Sequence, residues 1–299
     1  GLKRMQSAAV NFSFNRQRFK EIGSADYVGD VNMTNPNITL DMSYLYSNGT
    51  NEIMLGLDVD GSKRAVLNGL RAPAKDNNFY ILFGSGIKDE VSLTRSDSDF
   101  KDNYTVMALG NCFLNSYAIE SSVGELTSIT ANVQADNLMA EPYDNSVQGE
   151  LIPAINPATM KPSTSNRYKI KKSFFQNTTN QDGLIDSAFA PSGIQLTLPE
   201  YVNVPGLEFT GADGAAFIDS FNLSFNIDRS PLYGFGSIYP YGRRAILPVL
   251  GNLSFSATAS EFESGSLNDL VILDNNKERA YNFTIDMVAP SGTTGLKIQ

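Results

Sequence analysis

Few residues in this chain are equipped for chemistry, and the missing types say as much as those present. The 299 residues include no His, no Trp and one Cys, Cys112. Without His the usual general base, the usual zinc ligand and every His-based triad are gone. One Cys closes no internal disulfide. Asp58-Val59-Asp60-Gly61 starts like a calcium loop, but the later ligands and terminal Glu do not follow, so it reads as a β-turn. Asp97, Asp99 and Asp102 have ligand-like spacing within a polar loop and read as solvated. Gly84-Ser85-Gly86 and Gly234-Phe235-Gly236 do not extend into phosphate loops, and no Gly-x-Ser-x-Gly elbow occurs. Carboxylate pairs for glycoside hydrolysis converge in space, so the sequence leaves them open. The Tyr-rich segment 233–241 could stack sugars or bases; a subunit interface is the preferred reading. The chain is therefore expected to be no enzyme and to hold no cofactor or metal.

Composition narrows the class further. The net charge is -9, and charged residues are 18%, below the globular norm of roughly 25%. The acid excess argues against a basic patch that grips nucleic acid. The length suits one large or two ordinary domains with a substantial core. No run of about 18 apolar residues occurs, so no transmembrane helix is expected. Nor does an apolar stretch follow Gly1-Leu2-Lys3-Arg4, so no signal peptide is expected and the reading is a soluble protein made in the cytoplasm. Nine Asn-x-Ser/Thr sequons read as products of an Asn-, Ser- and Thr-rich chain, since several sit inside alternating strands.

The elements that must position these residues are mostly strands. Val10–Phe14, Leu40–Tyr44, Leu223–Ile227 and Leu253–Ala257 alternate apolar and polar residues, the signature of half-buried antiparallel strands. The continuous run Phe79–Phe83 is expected to be buried on both faces. Ser121 to Val133 reads as strand, tight turn at Gly124-Glu125, strand. Helical signal is confined to Thr50–Leu57 and Ser266–Leu273, with Thr50 and Ser266 as N-caps. Segment 141–190 is the least patterned; its basic stretch Arg167–Lys172 alternates and reads as a solvated strand edge rather than a nucleic-acid site.

Internal repetition is the strongest signal. A shift of 213 positions lays residues 5–57 on 218–270 without a gap. It matches Ser7 with Ser220, Phe12 with Phe225, Arg16 with Arg229, Gly23 with Gly236, Gly29 with Gly242, Leu40 with Leu253 and Ser43 with Ser256. A weaker echo relates Asn78–Ile81 to Asn282–Ile285, and another relates Cys112–Ile119 to Ala216–Leu223. A strand, a long loop and a returning strand therefore occur twice, a pattern of duplication.

At this point the chain resembles a family. Phe-Leu-Asn-Ser-Tyr-x-Ile at 113–119, followed by Ser-Val-Gly-Glu-Leu-Thr at 122–127, is similar to tail tube (major tail) proteins of long-tailed bacterial viruses. So is Ile218–Asn226 followed by Pro231-Leu232-Tyr233, Gly236-Ser237, Tyr239-Pro240-Tyr241, Arg243 and Pro248. The resemblance covers about 112–138 and 216–260 and reaches 5–57 only through the repeat. It implies β-sandwiches or partial barrels whose sheets join into rings, with stacked rings forming a tube for DNA passage. Rings of the family are typically hexameric, so a duplicated subunit would give a pseudo-hexamer from three copies.

The expected fold class is all-β: two tandem, related antiparallel sandwich or partial-barrel units with few short helices. Their bounds are 1–140 for the first unit, 141–215 for a connecting and inserted segment, and 216–299 for the second. The first unit's spacing from Phe79 to Cys112, applied to Phe283, passes residue 299, so the second unit reads as lacking its closing hairpin. The sheet edge near 282–299 is then expected to be covered by another chain, or completed by residues beyond it. Long loops 16–36 and 229–249 are expected to reach neighbouring subunits, with Arg16, Arg229, Tyr233, Tyr239, Tyr241, Arg243 and Arg244 as interface residues. Expected partners are further copies and other tail proteins, with DNA passing an acidic lumen unbound, and no membrane; the expected location is the virion tail. Two other classes stay open. A pilus-type surface adhesin predicts a leader upstream, and a carbohydrate-binding β protein predicts a concave aromatic and acidic cleft.

Overall fold

The structure is a computed structural model that describes residues 2–47, 49–57, 77–84, 104–142, 151–155, 162–169, 194–197, 218–236, 238–257, 284–288 and 294–298. The alternating segments become strands of one main sheet. β1 (Met5–Ser13) pairs with β4 (Asn37–Leu45), and between them β2 (Arg16–Phe19) pairs with β3 (Gly29–Asn32). A short helix, α1 (Thr50–Leu55), and β5 (Asn77–Gly84) follow, then β6 (Tyr104–Ser122), β7 (Ser128–Ala135) and β8 (Asn137–Pro142). β9 (Leu151–Ile155) and β10 (Pro162–Lys169) pair with each other. β11 (Ile194–Thr197) precedes β12 (Ile218–Asn226), β13 (Arg229–Leu232), β14 (Gly242–Ala245), β15 (Gly251–Ala257), β16 (Thr284–Val288) and β17 (Thr294–Ile298).

The strand order is β1-β4-β7-β6-β12-β15, antiparallel at every step. Period-2 patterning explains why this sheet forms and which way it faces. Ile38, Leu40, Met42 and Tyr44 of β4 lie on one face with Ile129, Ala131 and Val133 of β7, and all are buried. Tyr117 and Ile119 of β6 and Phe221 and Leu223 of β12 continue that face. The 19-residue β6 serves two layers. Its first half pairs with β5 and β8, its second half with β7 and β12. Asn111, at φ 53, marks the change of partners; Asn tolerates this left-handed conformation better than most side chains. Phe79, Ile81 and Leu138 of the smaller layer pack onto the main core, giving the molecule β-sandwich character. Leu55 and Leu57, in and after α1, belong to the same core.

Each of the four alternating segments thus lies in or overlaps a main-sheet strand, and the Gly124-Glu125 turn joins β6 to β7 with the Glu125 N–H donating to the Ser122 carbonyl at 3.1 Å. Four expectations need correction. Phe79–Phe83 is not buried on both faces: among the described strands β5 pairs with β6 alone, Phe79, Tyr80 and Ile81 are half-buried and Phe83 is exposed. The cap of α1 is Gly49, left-handed and without a side-chain cap bond, so Thr50 is the first helical residue rather than the cap. The loops 16–36 and 229–249 are two-stranded arms, β2/β3 and β13/β14, because short runs on either side of each tip can pair. Their tips hold Gly23 at φ 97 and Gly236 at φ 92, a conformation that side-chain-bearing residues rarely adopt. Finally, Thr284–Val288 is not a sheet edge, since it lies between β11 and β17 of the same chain; the outer strand within 282–299 is β17, with which no other described strand pairs. Asp58–Gly61, Asp97, Asp99, Asp102 and Ser266–Leu273 lie outside the described residues. The start of the basic stretch, to Lys169, lies in β10.

The registers of the two outer hairpins agree position by position under the 213-residue shift. Val10 faces Leu40 as Leu223 faces Leu253. Both ladders shift register at the same place, between Met5 and Ser7 and between Ile218 and Ser220. The Ser7 and Ser43 hydroxyls meet at 2.7 Å, and so do those of Ser220 and Ser256. In the arms, Arg16 faces Asn32 as Arg229 faces Ala245. β12 adds directly to β6, so one sheet runs across the expected unit boundary.

Core burial gives the first test. Ile129 is wholly buried, whereas Thr130 points to the opposite face and is exposed. Ile129→Ala should destabilise by about 2–5 kcal/mol in denaturant unfolding, and Thr130→Ala by no more than about 0.5 kcal/mol. Equal costs would show that the faces are assigned wrongly.

Candidate subunit interfaces

The two arms have the same register but different surroundings. The β13/β14 arm is docked within the chain. Arg243 forms an ion pair with Asp136, with side-chain exposures of 10% and 1%. Asp136 also accepts from Asn35 Nδ2 at 3.1 Å and from Asn111 Nδ2. The guanidinium groups of Arg243 and Arg229 lie 4.2 Å and 5.0 Å from the Phe113 ring centroid, in the range of cation–π attraction. Arg229 Nη1 donates to the Leu114 carbonyl, and burial lowers the Arg229 pKa. The Tyr233 hydroxyl donates to Asn35 Oδ1 at 2.8 Å, and the Asn35 N–H donates to the Ile238 carbonyl at 3.1 Å. Starting beside β12, the arm therefore reaches past β6 and β7 to Asn35, two residues before β4.

The β2/β3 arm has no comparable seat among the described residues. All four residues of β2 are exposed, as are the large apolar side chains of Phe12, Phe14, Phe19, Ile22, Tyr27 and Val31. Arg16 lies 5.4 Å from the ring of its neighbour Phe14. Arg18 and Lys20 both lie over Tyr27, and Arg18 is 3.5 Å from Asp30. Both tips present a fully exposed apolar residue, Ile22 in one and Phe235 in the other.

The seven residues expected at an interface therefore divide. Arg229, Arg243 and Tyr233 are engaged within the chain, while Arg16, Tyr241 and Arg244 are exposed. Tyr239 is half-buried, which raises its pKa. Sequence reasoning missed the receiving residues Asn35, Asn111, Phe113 and Asp136. Phe113 opens the Phe-Leu-Asn-Ser-Tyr-x-Ile motif, but nothing local marks Asp136 as the partner of an arginine 107 positions away.

The two faces of the main sheet differ chemically. Opposite the core, the alternate positions of β1, β4, β7, the second half of β6, β12 and β15 carry Ser, Thr, Asn, Gln and Ala almost throughout. Over the paired positions 7–13, 37–43, 128–134, 116–122, 220–226 and 252–256, the charged side chains on this face are Asp41 and Glu120; it holds no Lys or Arg. Asp41 accepts from Asn11 Nδ2 at 3.1 Å and Asn132 Nδ2 at 2.5 Å. No described strand pairs with the outer edge of β1 or of β15.

A second buried polar site is internal. Glu52, 1% exposed, accepts from the hydroxyls of Tyr44 at 2.9 Å and Tyr117 at 3.0 Å, both on Oε1. It thereby ties α1 to two strands. Asn51 adds a reciprocal pair of 2.8 Å bonds with the backbone of Lys3. Burial pushes the Glu52 carboxyl above its ordinary value, outweighing the tyrosine hydrogen bonds. Burial and the nearby Glu52 likewise raise Tyr44 and Tyr46; for Tyr117 burial and the other tyrosines do most of it. Burial also pushes the Cys112 thiol up to about 12, leaving it inert at neutral pH. Among the described residues no group of three or more acidic or Cys side chains gathers to hold a metal, and no helix is long and apolar enough to cross a membrane.

Two outcomes follow. A buried acid with a raised folded pKa contributes stability that is full below the ordinary 4.5 and is lost as pH rises through the folded value. Urea midpoints should accordingly fall over that window in the native chain, and Glu52→Gln should flatten the fall; an unchanged pH profile would remove the assignment. Separately, Arg243→Ala should cost about 3–5 kcal/mol by stranding the buried Asp136 charge, whereas Arg16→Ala should cost no more than about 0.5 kcal/mol, both read by thermal unfolding. Compared with known sequence families and with curated proteins, the chain matches none.

Proposed function

We propose that this protein is a structural subunit of a bacteriophage tail, building a ring or tube through which DNA passes, and that it carries a tube-type β unit twice. The observation that carries the reading is the pair of outer edges on the main sheet, those of β1 and β15, with which no described strand pairs. Six strands alternate in direction, so the outer edge of β15 runs antiparallel to the outer edge of β1. Edges so related add head to tail, a heterologous contact that closes into a ring or extends as a filament. Two further features support the reading. The matching registers of β1/β4 and β12/β15, bulge included, are what duplication of one unit would leave. The face opposite the core, rich in hydroxyls and amides and free of cations, suits a wall that DNA slides along. Phosphates bind through Lys and Arg, and this face offers neither. By the same reading, three duplicated copies would make a ring of six units.

Negative-stain imaging of the purified chain at increasing concentration should show rings or tubes; monomers at every concentration would overturn the reading. The conduit face has its own test. Asp41→Lys with Glu120→Lys should leave particle formation intact but create binding to duplex DNA that weakens steeply with salt in a gel-shift assay. Particles that ignore DNA despite both reversals would remove the electrostatic account of passage.

A further inference from the structure

We infer that β1, together with Phe12, Phe14 and Arg16 at the root of its arm, is a docking edge for a second copy of this chain, seated there as β6 is seated against β12. The inference rests on the ring reading above and names the side chains that would join the copies.

The joint to be imitated lies within the chain. β12 is flanked on one side by β15 and on the other by β6. Against β6, the Phe225 ring stacks on Tyr117 at 5.4 Å, and the Ile227 N–H donates to the Asn115 carbonyl at 2.7 Å. Arg229 closes the joint on Phe113 and the Leu114 carbonyl. β1 matches β12 position by position and pairs with β4 as β12 pairs with β15, but no described strand takes the place of β6. The consequence is visible in exposure. Ile227 is 3% exposed, and its counterpart Phe14 is 48% exposed. Phe225 is half-buried, and its counterpart Phe12 is exposed. Arg229 is half-buried with two partners, while Arg16 lies in solvent over Phe14. Two phenylalanines and an arginine at alternate positions, from an edge that no described strand covers into the root of the arm, have the composition of an interface core.

The occupant follows from direction and face. The incoming strand must run antiparallel to β1, as β6 does to β12. Of the main sheet's strands, β15 has both that direction and an outer edge with which no described strand pairs. Leu253 and Phe255 of β15 lie on the core side of the sheet. Added beside β1, they would continue the apolar row of Val10, Phe12 and Phe14. The β2/β3 arm would then reach over the neighbour, as its counterpart reaches past β6 and β7 within the chain.

Cross-linking tests this on the full chain. Cys112 is buried and its thiol pushed up to about 12, so introduced cysteines can pair without interference. Asn11→Cys on β1 is combined in turn with Asn252→Cys, Ser254→Cys or Ser256→Cys on β15. Five inter-strand steps of about 4.8 Å hold these positions apart within one chain, so a disulfide can form only between copies. At least one combination should give dimers and a ladder on a non-reducing gel, increasing with protein concentration. In parallel, Phe14→Ser and Arg16→Glu should each raise the concentration needed for assembly by about tenfold or more without lowering the thermal midpoint. Ile227→Ser, at the internal joint, should lower that midpoint. Rings in micrographs with no β1–β15 cross-link, and with both edge variants assembling like the native chain, would overturn the docking edge and leave the ring reading standing. Dimers formed by Asn11→Cys alone would also overturn it, since β1 would then pair with itself. The absence of any particle would defeat both.

Discussion

Backbone pairing along β6 is the constraint on which most of the described molecule depends. Its first half holds β5 and β8, and its second half holds β7 on one side and β12 on the other. Among the described strands, no other ladder joins the smaller layer to the main sheet. Among the described strands, no other main-sheet ladder joins residues after 217 to those before 143. The strand changes partners around the left-handed Asn111, a few residues before the break in its ladder with β7 between Leu114 and Ser116. That region is also where the molecule concentrates polar bonds: Asn111 to Asp136, Asp136 to Arg243, Arg229 to Leu114. A buried ion pair is a poor source of net stability, but it strongly penalises arrangements that would leave either charge alone. The Asp136–Arg243 pair thus acts on specificity: it fixes which arm lies over this end of the sheet.

The same logic applies to Glu52. An acid inside a β-sandwich core is costly unless its oxygens are satisfied. Two tyrosines from separate strands converge on one carboxyl oxygen, so α1 can settle in only one pose without stranding them. The helix is six residues long and lacks a side-chain cap bond, too short to hold itself by propensity. Its place is determined by Glu52, the paired bonds of Asn51 with Lys3, and the burial of Leu55.

How much of this was legible in the sequence follows from the range of each interaction. Strands whose side chains alternate between core and solvent, such as Leu40–Tyr44 and Leu223–Ile227, carry their face assignment locally, and they were read in place. Helix α1 was also visible, but its cap was misplaced, since the left-handed Gly49 replaces a side-chain cap with a backbone turn. The arms were read as loops because four-residue strands such as Arg16–Phe19 expose every side chain and so show no alternation of burial. The candidate interface was half legible. Arg16 and Arg229 were marked by the repeat, but which of them is already occupied depends on Phe113 and Asp136, over a hundred positions away from Arg229 and Arg243. Glu52 carried no signal beyond being an acid beside Ile53, Met54 and Leu55.

Matching positions in the two arms differ in the way their different surroundings require. The counterpart of Arg243 is Asp30, so only the docked arm carries the cation that Asp136 needs. The counterpart of Tyr233, which bonds Asn35, is Lys20, which lies over Tyr27 in its own arm. Had both arms served the same seat, the pair at 30 and 243 would have been held to one charge. Instead Arg16 and Arg229 stay alike while their neighbours differ, which fits a shared root contact, backbone carbonyl plus aromatic ring, followed by tips adapted to different surfaces. Charge is segregated by the same division. Cations gather in the arms, at Arg16, Arg18, Lys20, Arg229, Arg243 and Arg244, and the broad polar face has none. On the proposed assembly, the groups able to grip phosphate are thereby engaged in holding copies and arms together, and the wall left facing the passage is one to which DNA has little electrostatic reason to adhere.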